Sequence, residues 1–133
     1  MQTVIVLLGT YKNLNNMENK EKIVEQNAII TNYSLYLHNG FALILSIELK
    51  YGNGLCQCFG DWVLQSANKT EYLSPAGFYI KRVMEICGVE DIKNIIGKAI
   101  RVKHNSNNIY AIGNIIEDDW FNPVEDLFDK IKE

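Results

Sequence analysis

NAIITNYSLYLHNGFALILSIELK, Asn27 to Lys50, is the stretch that decides the fold class. Its first half, Asn27 to Leu37, is rich in β-branched and aromatic residues, which suit a pleated, half-buried surface. His38-Asn39-Gly40 then supplies turn chemistry, because Asn and Gly accept the positive φ that a tight hairpin needs. The second half alternates. Phe41, Leu43, Leu45, Ile47 and Leu49 fall on one face and Ala42, Ile44, Ser46, Glu48 and Lys50 on the other. Two antiparallel strands follow, with the odd-numbered face of the second turned to the core.

Downstream, Gly52-Asn53-Gly54 turns the chain back into LCQCFGDWVL, a third strand in which Gly60 marks a bulge or a close approach. Gln65 to Ser74 has surface-loop composition, and Ser74-Pro75 opens a helix with a capping residue followed by a first-turn proline. In that helix Ala76, Tyr79, Ile80, Val83, Met84 and Cys87 recur at helical spacing, and Gly88 ends it. Phe78 falls off this stripe beside Lys81, Arg82 and Glu85, so it is expected to be exposed. A helical turn in EDIKNIIG leads to KAIRVKH, and the turn Asn105 to Asn108 returns into IYAIGNIIED, a second hairpin. The tail DWFNPVEDLFDKIKE holds an amphipathic turn on Val124, Leu127, Phe128 and Ile131. The expected class is α+β: a mainly antiparallel sheet of about five strands in two hairpins, one principal helix packed on it and a short C-terminal helix.

The 133 residues, 47% hydrophobic and 22% charged, fit one ordinary globular domain. A net charge of −3 offers no broad basic field, so nucleic acid is not an expected partner. The run Thr3 to Leu8 is too short to cross a bilayer, and no membrane partner is expected. An odd count of cysteines, Cys56, Cys58 and Cys87, points to free thiols in a reducing, cytoplasmic setting. Met17 opens MENKEKIVEQ and reads as a natural start. Residues 1–26 therefore read as a partly disordered N-terminal extension, ahead of a single domain over residues 27–133.

Catalytic constellations are scarce. Cys56 and Cys58 share a strand face, but no second ligand pair stands at zinc spacing, so both read as small buried hydrophobes, and no metal is expected. His38 and His104 sit in no triad context and read as exposed. Asp118-Asp119 and Glu125-Asp126 read as helix caps. The Tyr51-Gly52-Asn53-Gly54 turn fits neither a P-loop nor a dinucleotide fingerprint, though its amides could form a small anion nest. Its company makes it a candidate site: Gln57, Phe59 and Trp62 on the next strand, Arg82 and Phe78 on the helix, Arg101 and Lys103 later. Aromatic faces and cationic groups are the parts that stack a purine and hold a phosphate.

A strand ending in YGNG, then QCFGDW, a helix GFYIKRVMEICGVE, a strand KAIRVKH and the segment AIGNIIEDDWFNP together resemble a family of small phage and prophage proteins, the Thoeris anti-defence sponges. The resemblance covers Asn27 to Asp126, roughly three quarters of the chain. It departs from the family's GQ(G/S)FGGY pattern at Cys56, Cys58 and Asp61-Trp62. It implies binding without turnover: sequestration of a cyclic ADP-ribose-type signal, made by bacterial TIR enzymes, in the cytoplasm of an infected cell. It also implies no enzyme activity, no cofactor and a homo-oligomer, a dimer or a dimer-based hexamer. Phe59 or Trp62 would stack adenine and Arg82, Arg101 or Lys103 would pair with the pyrophosphate, while the tail match adds Trp120 and Asn122 to the candidate ligand residues. A different class of function is inhibition of a defence protein by direct contact, as anti-CRISPR proteins act, with Glu117, Asp118 and Asp119 imitating nucleic acid.

Overall fold

The computed structural model describes residues 22–40, 42–61 and 74–131. Phe41, Trp62 and the segment 1–16 lie outside them, as do the side chains of Phe128 and Ile131. Six strands, β1 (Val24–His38), β2 (Ala42–Tyr51), β3 (Cys56–Gly60), β4 (Ala99–His104), β5 (Ile109–Gly113) and β6 (Trp120–Phe121), form one sheet in the order β3-β2-β1-β4-β5-β6. All the pairings are antiparallel. Helix α1 (Ser74–Cys87) packs on one face, a 3₁₀ turn (Ile92–Ile95) leads into β4, and a short helix α2 (Pro123–Ile131) closes the described chain. The α+β class, two hairpins and two helices agree with the sequence reading. None of the described helices is long and apolar enough to cross a membrane.

β1 joins the two hairpins. Its first part, Val24 to Ile29, pairs with β4, and its longer part, Ala28 to His38, pairs with β2 across a register shift between Ile30 and Asn32. The strand begins at Val24, ahead of the expected domain start. Period-two alternation turns Ile100 and Val102 of β4 and Leu45, Ile47 and Leu49 of β2 to the same core, where each is almost fully buried. Burial of one such side chain stabilises the fold by about 1.5–3 kcal/mol.

The start of β2 differs from its expected one-sided pattern. Ala42 and Ile44 are buried and Leu43 only half-buried, so both faces are covered there. The near-continuous apolar run FALILSI carries the signature of such a strand.

α1 buries Ala76, Tyr79, Val83, Ile86 and Cys87, whereas Ile80 and Met84 are half-buried. The stripe is thus rotated from the expected one to include Ile86. Phe78, expected to be exposed, is half-buried and meets Phe121 edge-on, with ring centroids 6.1 Å apart. The reason is β6, which brings Phe121 under the helix. There it also meets Tyr79 at 5.7 Å and Phe59 at 6.3 Å. Such offset aromatic pairs add about 0.5–1.5 kcal/mol each beyond area burial.

The cysteines of β3 also depart from expectation. Gln57 and Phe59 take the core side of the strand, which leaves Cys56 and Cys58 exposed. Cys87 is buried as expected, and burial pushes its thiol up to about 11. A chromogenic thiol reagent at about pH 8 is therefore expected to titrate two equivalents from the folded protein, and a third only after denaturant is added. Cys56 should react first, because partial burial and the nearby Glu48 and Asp61 carboxylates raise the Cys58 thiol. Three fast equivalents in the folded state would contradict this placement of Cys87.

Candidate functional site

The face of the sheet away from α1 carries the most distinctive group of side chains. In the β4–β5–β6 register Arg101 stands opposite Gly113, Lys103 opposite Ala111 and Gly113 opposite Trp120. Alternation puts these residues on one face, while Val102, Ile112 and Phe121 enter the core behind them. Gly113 has no side chain, and the Trp120 indole lies over it: a Cβ at this position would stand 2.6 Å from Trp120 Cε3 and 2.7 Å from Cδ2. Two cations flank the same ring, Lys103 Nζ at 4.2 Å and Arg101 Cζ at 4.8 Å from its centroid. Contacts of this kind contribute about 0.5–2 kcal/mol, depending on how dry they are.

Beside this cluster lies a cavity of about 270 Å³ whose wall includes Lys103, Tyr110, Trp120, Asn122, Glu125 and Asp126. Asn122 caps α2: its Oδ1 accepts the Glu125 amide at 3.2 Å, and its own amide donates to Asp126 Oδ2 at 3.0 Å. The expected capping role thus belongs to Asp126, whose carboxylate is committed to the helix start. The Glu125 carboxylate, on the same first turn, is left facing an exposed rim. The cavity accordingly joins an indole face, an ammonium, an amide and a carboxylate.

The two arginines proposed as phosphate ligands have other work. Arg101 donates from Nε to the Asn114 carbonyl and from Nη2 to the Glu117 carbonyl, both at 2.7 Å, and lies 3.6 Å from a Glu25 carboxylate oxygen. Asn114 completes the clamp, its Oδ1 accepting the amides of Ile116 and Glu117 at 2.9 Å and its Nδ2 donating to the Ile86 carbonyl at 3.1 Å. Arg82 pairs with Glu85 at 2.7 Å and Asp119 at 2.8 Å, and donates to the Trp120 carbonyl at 3.2 Å. Both guanidiniums therefore hold the β5–β6 connection, which seats Trp120 and is the part they play in the site.

The glycine turn and its neighbours lie elsewhere. Gly52 is exposed, and Phe59 is buried in the aromatic core. The Tyr51 hydroxyl donates to Gln57 Oε1 at 2.7 Å, and Gln57 Nε2 donates to the Asn105 carbonyl at 2.9 Å. Burial holds the Tyr51 phenol neutral, well above its ordinary range. His104, expected to be exposed, is buried because it continues the core face of Ile100 and Val102. Its ring stacks on Tyr51 at 4.3 Å, with its nitrogens 3.1 Å from the Asn105 carbonyl and 2.8 Å from Gln26 Oε1. This network reaches the cavity through Tyr110, whose hydroxyl accepts from Asn105 Nδ2 at 2.7 Å.

Of the sequence-proposed residues, Lys103, Trp120 and Asn122 come together at the cavity with Arg101 against the indole. Tyr51, Gly52, Gln57, Phe59, Phe78 and Arg82 do not line it. Glu125 and Tyr110 are additions. Glu125 had a signal in the sequence, since a carboxylate on the first turn after Asn122-Pro123 is held beside whatever its cap touches. No family model, no curated protein and no solved structure matches the chain.

Proposed function

We propose that this protein holds a nucleotide-type ligand at the Lys103–Trp120 cavity without chemical turnover. The observation that carries this reading is the convergence of an indole, an ammonium and a carboxylate on one cavity wall. An indole suits a nucleobase, an ammonium a phosphate and a carboxylate the hydroxyls of a ribose. The finer reading is a phage anti-defence sponge, acting as a homo-oligomer in the bacterial cytoplasm, that sequesters a cyclic ADP-ribose-type signal. The cavity volume of about 270 Å³ lies near the lower end of the range of about 300–1,000 Å³ that encloses a drug-sized ligand.

Isothermal titration of the protein with purified glycocyclic ADP-ribose tests the reading, and saturable binding with recovery of intact ligand is the expected result. Trp120→Ala should weaken it by about 1–2 kcal/mol through lost stacking. Lys103→Ala should weaken it by about 1.5–3 kcal/mol through a lost charge-assisted bond. Absence of heat at micromolar protein, or affinity unchanged from the parent protein in both variants, counts against this site.

A second reading, inhibition of another protein by direct contact, is favoured by the β5–β6 connection. Ile116 there is 86% exposed beside the exposed Glu117 and Asp118, on a loop clamped by Asn114 and Arg101. A rigid loop that offers an isoleucine and two acids to solvent has the form of an interface anchor.

A further inference from the structure

The long strand β1 is half covered. Its pairing with β4 ends at Ile29, and the Lys98 carbonyl and Gly97 amide continue it only to Ile30, by hydrogen bonds of 2.9 and 2.7 Å. From Thr31 to His38 the strand pairs with β2 alone, and among the described residues no strand pairs with its other edge. Natural sheets blunt such an edge with charge, proline, a bulge or shortness. β6 has two residues and β3 has five, ending at Gly60, so the outer edges of this sheet are short. Thr31 to His38, TNYSLYLH, has neither proline nor Lys, Arg, Asp or Glu. It also leaves Leu35 42%, Tyr36 37% and Leu37 60% exposed.

We infer that this edge pairs with the same edge of a second copy, antiparallel about a two-fold axis at Leu35. The run is self-complementary at that centre. Leu35 meets Leu35 and Tyr33 meets Leu37 on one face, while Ser34 meets Tyr36 on the other. Aromatic–aliphatic neighbours and an absence of opposed like charges are what antiparallel cross-strand pairs favour. A two-fold contact uses one patch on both partners, as isologous dimers do. The pairing joins two sheets through β1 and covers the exposed leucines of both. The inference concerns the far end of β1 from the Lys103–Trp120 cavity and does not depend on the ligand.

The test is sedimentation equilibrium of the full chain without ligand, with hydrogen exchange read at two protein concentrations. The expected result is a monomer–dimer equilibrium in which the amides of Tyr33 to Leu37 gain protection as the dimer forms. Leu35→Lys places like charges opposite one another and should weaken self-association by about tenfold or more. Leu35→Glu should do the same, and an equimolar mixture of the two should recover a heterodimer. That recovery cannot come from misfolded variants. The inference is overturned by a monomer at all concentrations, or by a dimer that Leu35→Lys leaves intact. It is also overturned by protection of Tyr33 to Leu37 that dilution does not change, which would mean an edge covered within one chain. Because no ligand is present, these outcomes leave the binding reading to its own titration.

Discussion

Gly60→Ala is expected to lower the stability of the protein by about 2–6 kcal/mol, the largest loss of any glycine-to-alanine change among the described residues. Two costs combine. Gly60 has φ +104°, a conformation that strains any L side chain by about 1–3 kcal/mol. Its missing Cβ would also fall on the Leu45 carbonyl oxygen and the Tyr79 hydroxyl, closer than real contacts allow. The carbonyl belongs to the backbone of β2, which accepts the Asp61 amide at 3.3 Å and cannot step aside without loosening the hairpin. Overpacking of this kind costs about 1–3 kcal/mol more. Urea denaturation of the two proteins measures the difference. Tyr79→Phe in the Gly60→Ala background isolates the share of the hydroxyl, because it leaves both the backbone strain and the Leu45 carbonyl contact. Partial recovery is expected. A loss below about 1 kcal/mol would mean that β3 does not approach α1 as described.

The same glycine shows what sequence can disclose. An isolated Gly within a strand pattern announces that something comes near, and here it is the Leu45 carbonyl and the phenol of Tyr79, on the buried stripe of α1. The β1–β2 and β4–β5 hairpins were legible for a similar reason: period-two alternation and turn residues are properties of neighbouring positions. β6 was not legible, since two residues have no period, and its absence from the reading carried consequences. Without Phe121 beneath it, Phe78 looked like an exposed aromatic; without the register of Gly113 against Trp120, nothing placed the indole beside Lys103. Arg101 was misjudged because its two hydrogen-bond partners are backbone carbonyls of a loop, at Asn114 and Glu117, and a carbonyl leaves no trace in a residue's identity. Arg82 was misjudged because only the fold brings Asp119, 37 residues on, to its guanidinium beside Glu85. Tyr51 and Gln57 were drawn into the site by the glycine turn beside them, whereas the alternation of β4 that buries His104 gives Tyr51 a core partner, and Gln57 is held by the Tyr51 hydroxyl and the Asn105 carbonyl.

Gly113→Ala is expected to cost about 2–3 kcal/mol and, unlike Gly60→Ala, to act on the candidate site as much as on the fold. Gly113 has no positive φ, so its backbone accepts alanine, and the whole penalty comes from three indole carbons within 2.9 Å of the added methyl. The indole must lift from the sheet. Lifting removes its contacts with Lys103 and Arg101 but leaves the hydrogen bonds from Arg101 to the Asn114 and Glu117 carbonyls, so the β5–β6 connection should stay closed. The outcome is thus a folded, weakened protein with a displaced tryptophan rather than a collapsed loop. Trp62→Phe leaves Trp120 as the sole tryptophan, and its emission is expected to shift to the red in the Gly113→Ala variant as the ring gains water. Affinity for glycocyclic ADP-ribose should fall by about tenfold, the equivalent of losing one base–aromatic stack. Lost stability with a shifted emission but unchanged affinity would keep Trp120 on Gly113 and move the ligand elsewhere. Unchanged stability and emission would instead remove the indole from the sheet face, and with it the aromatic wall of the proposed site.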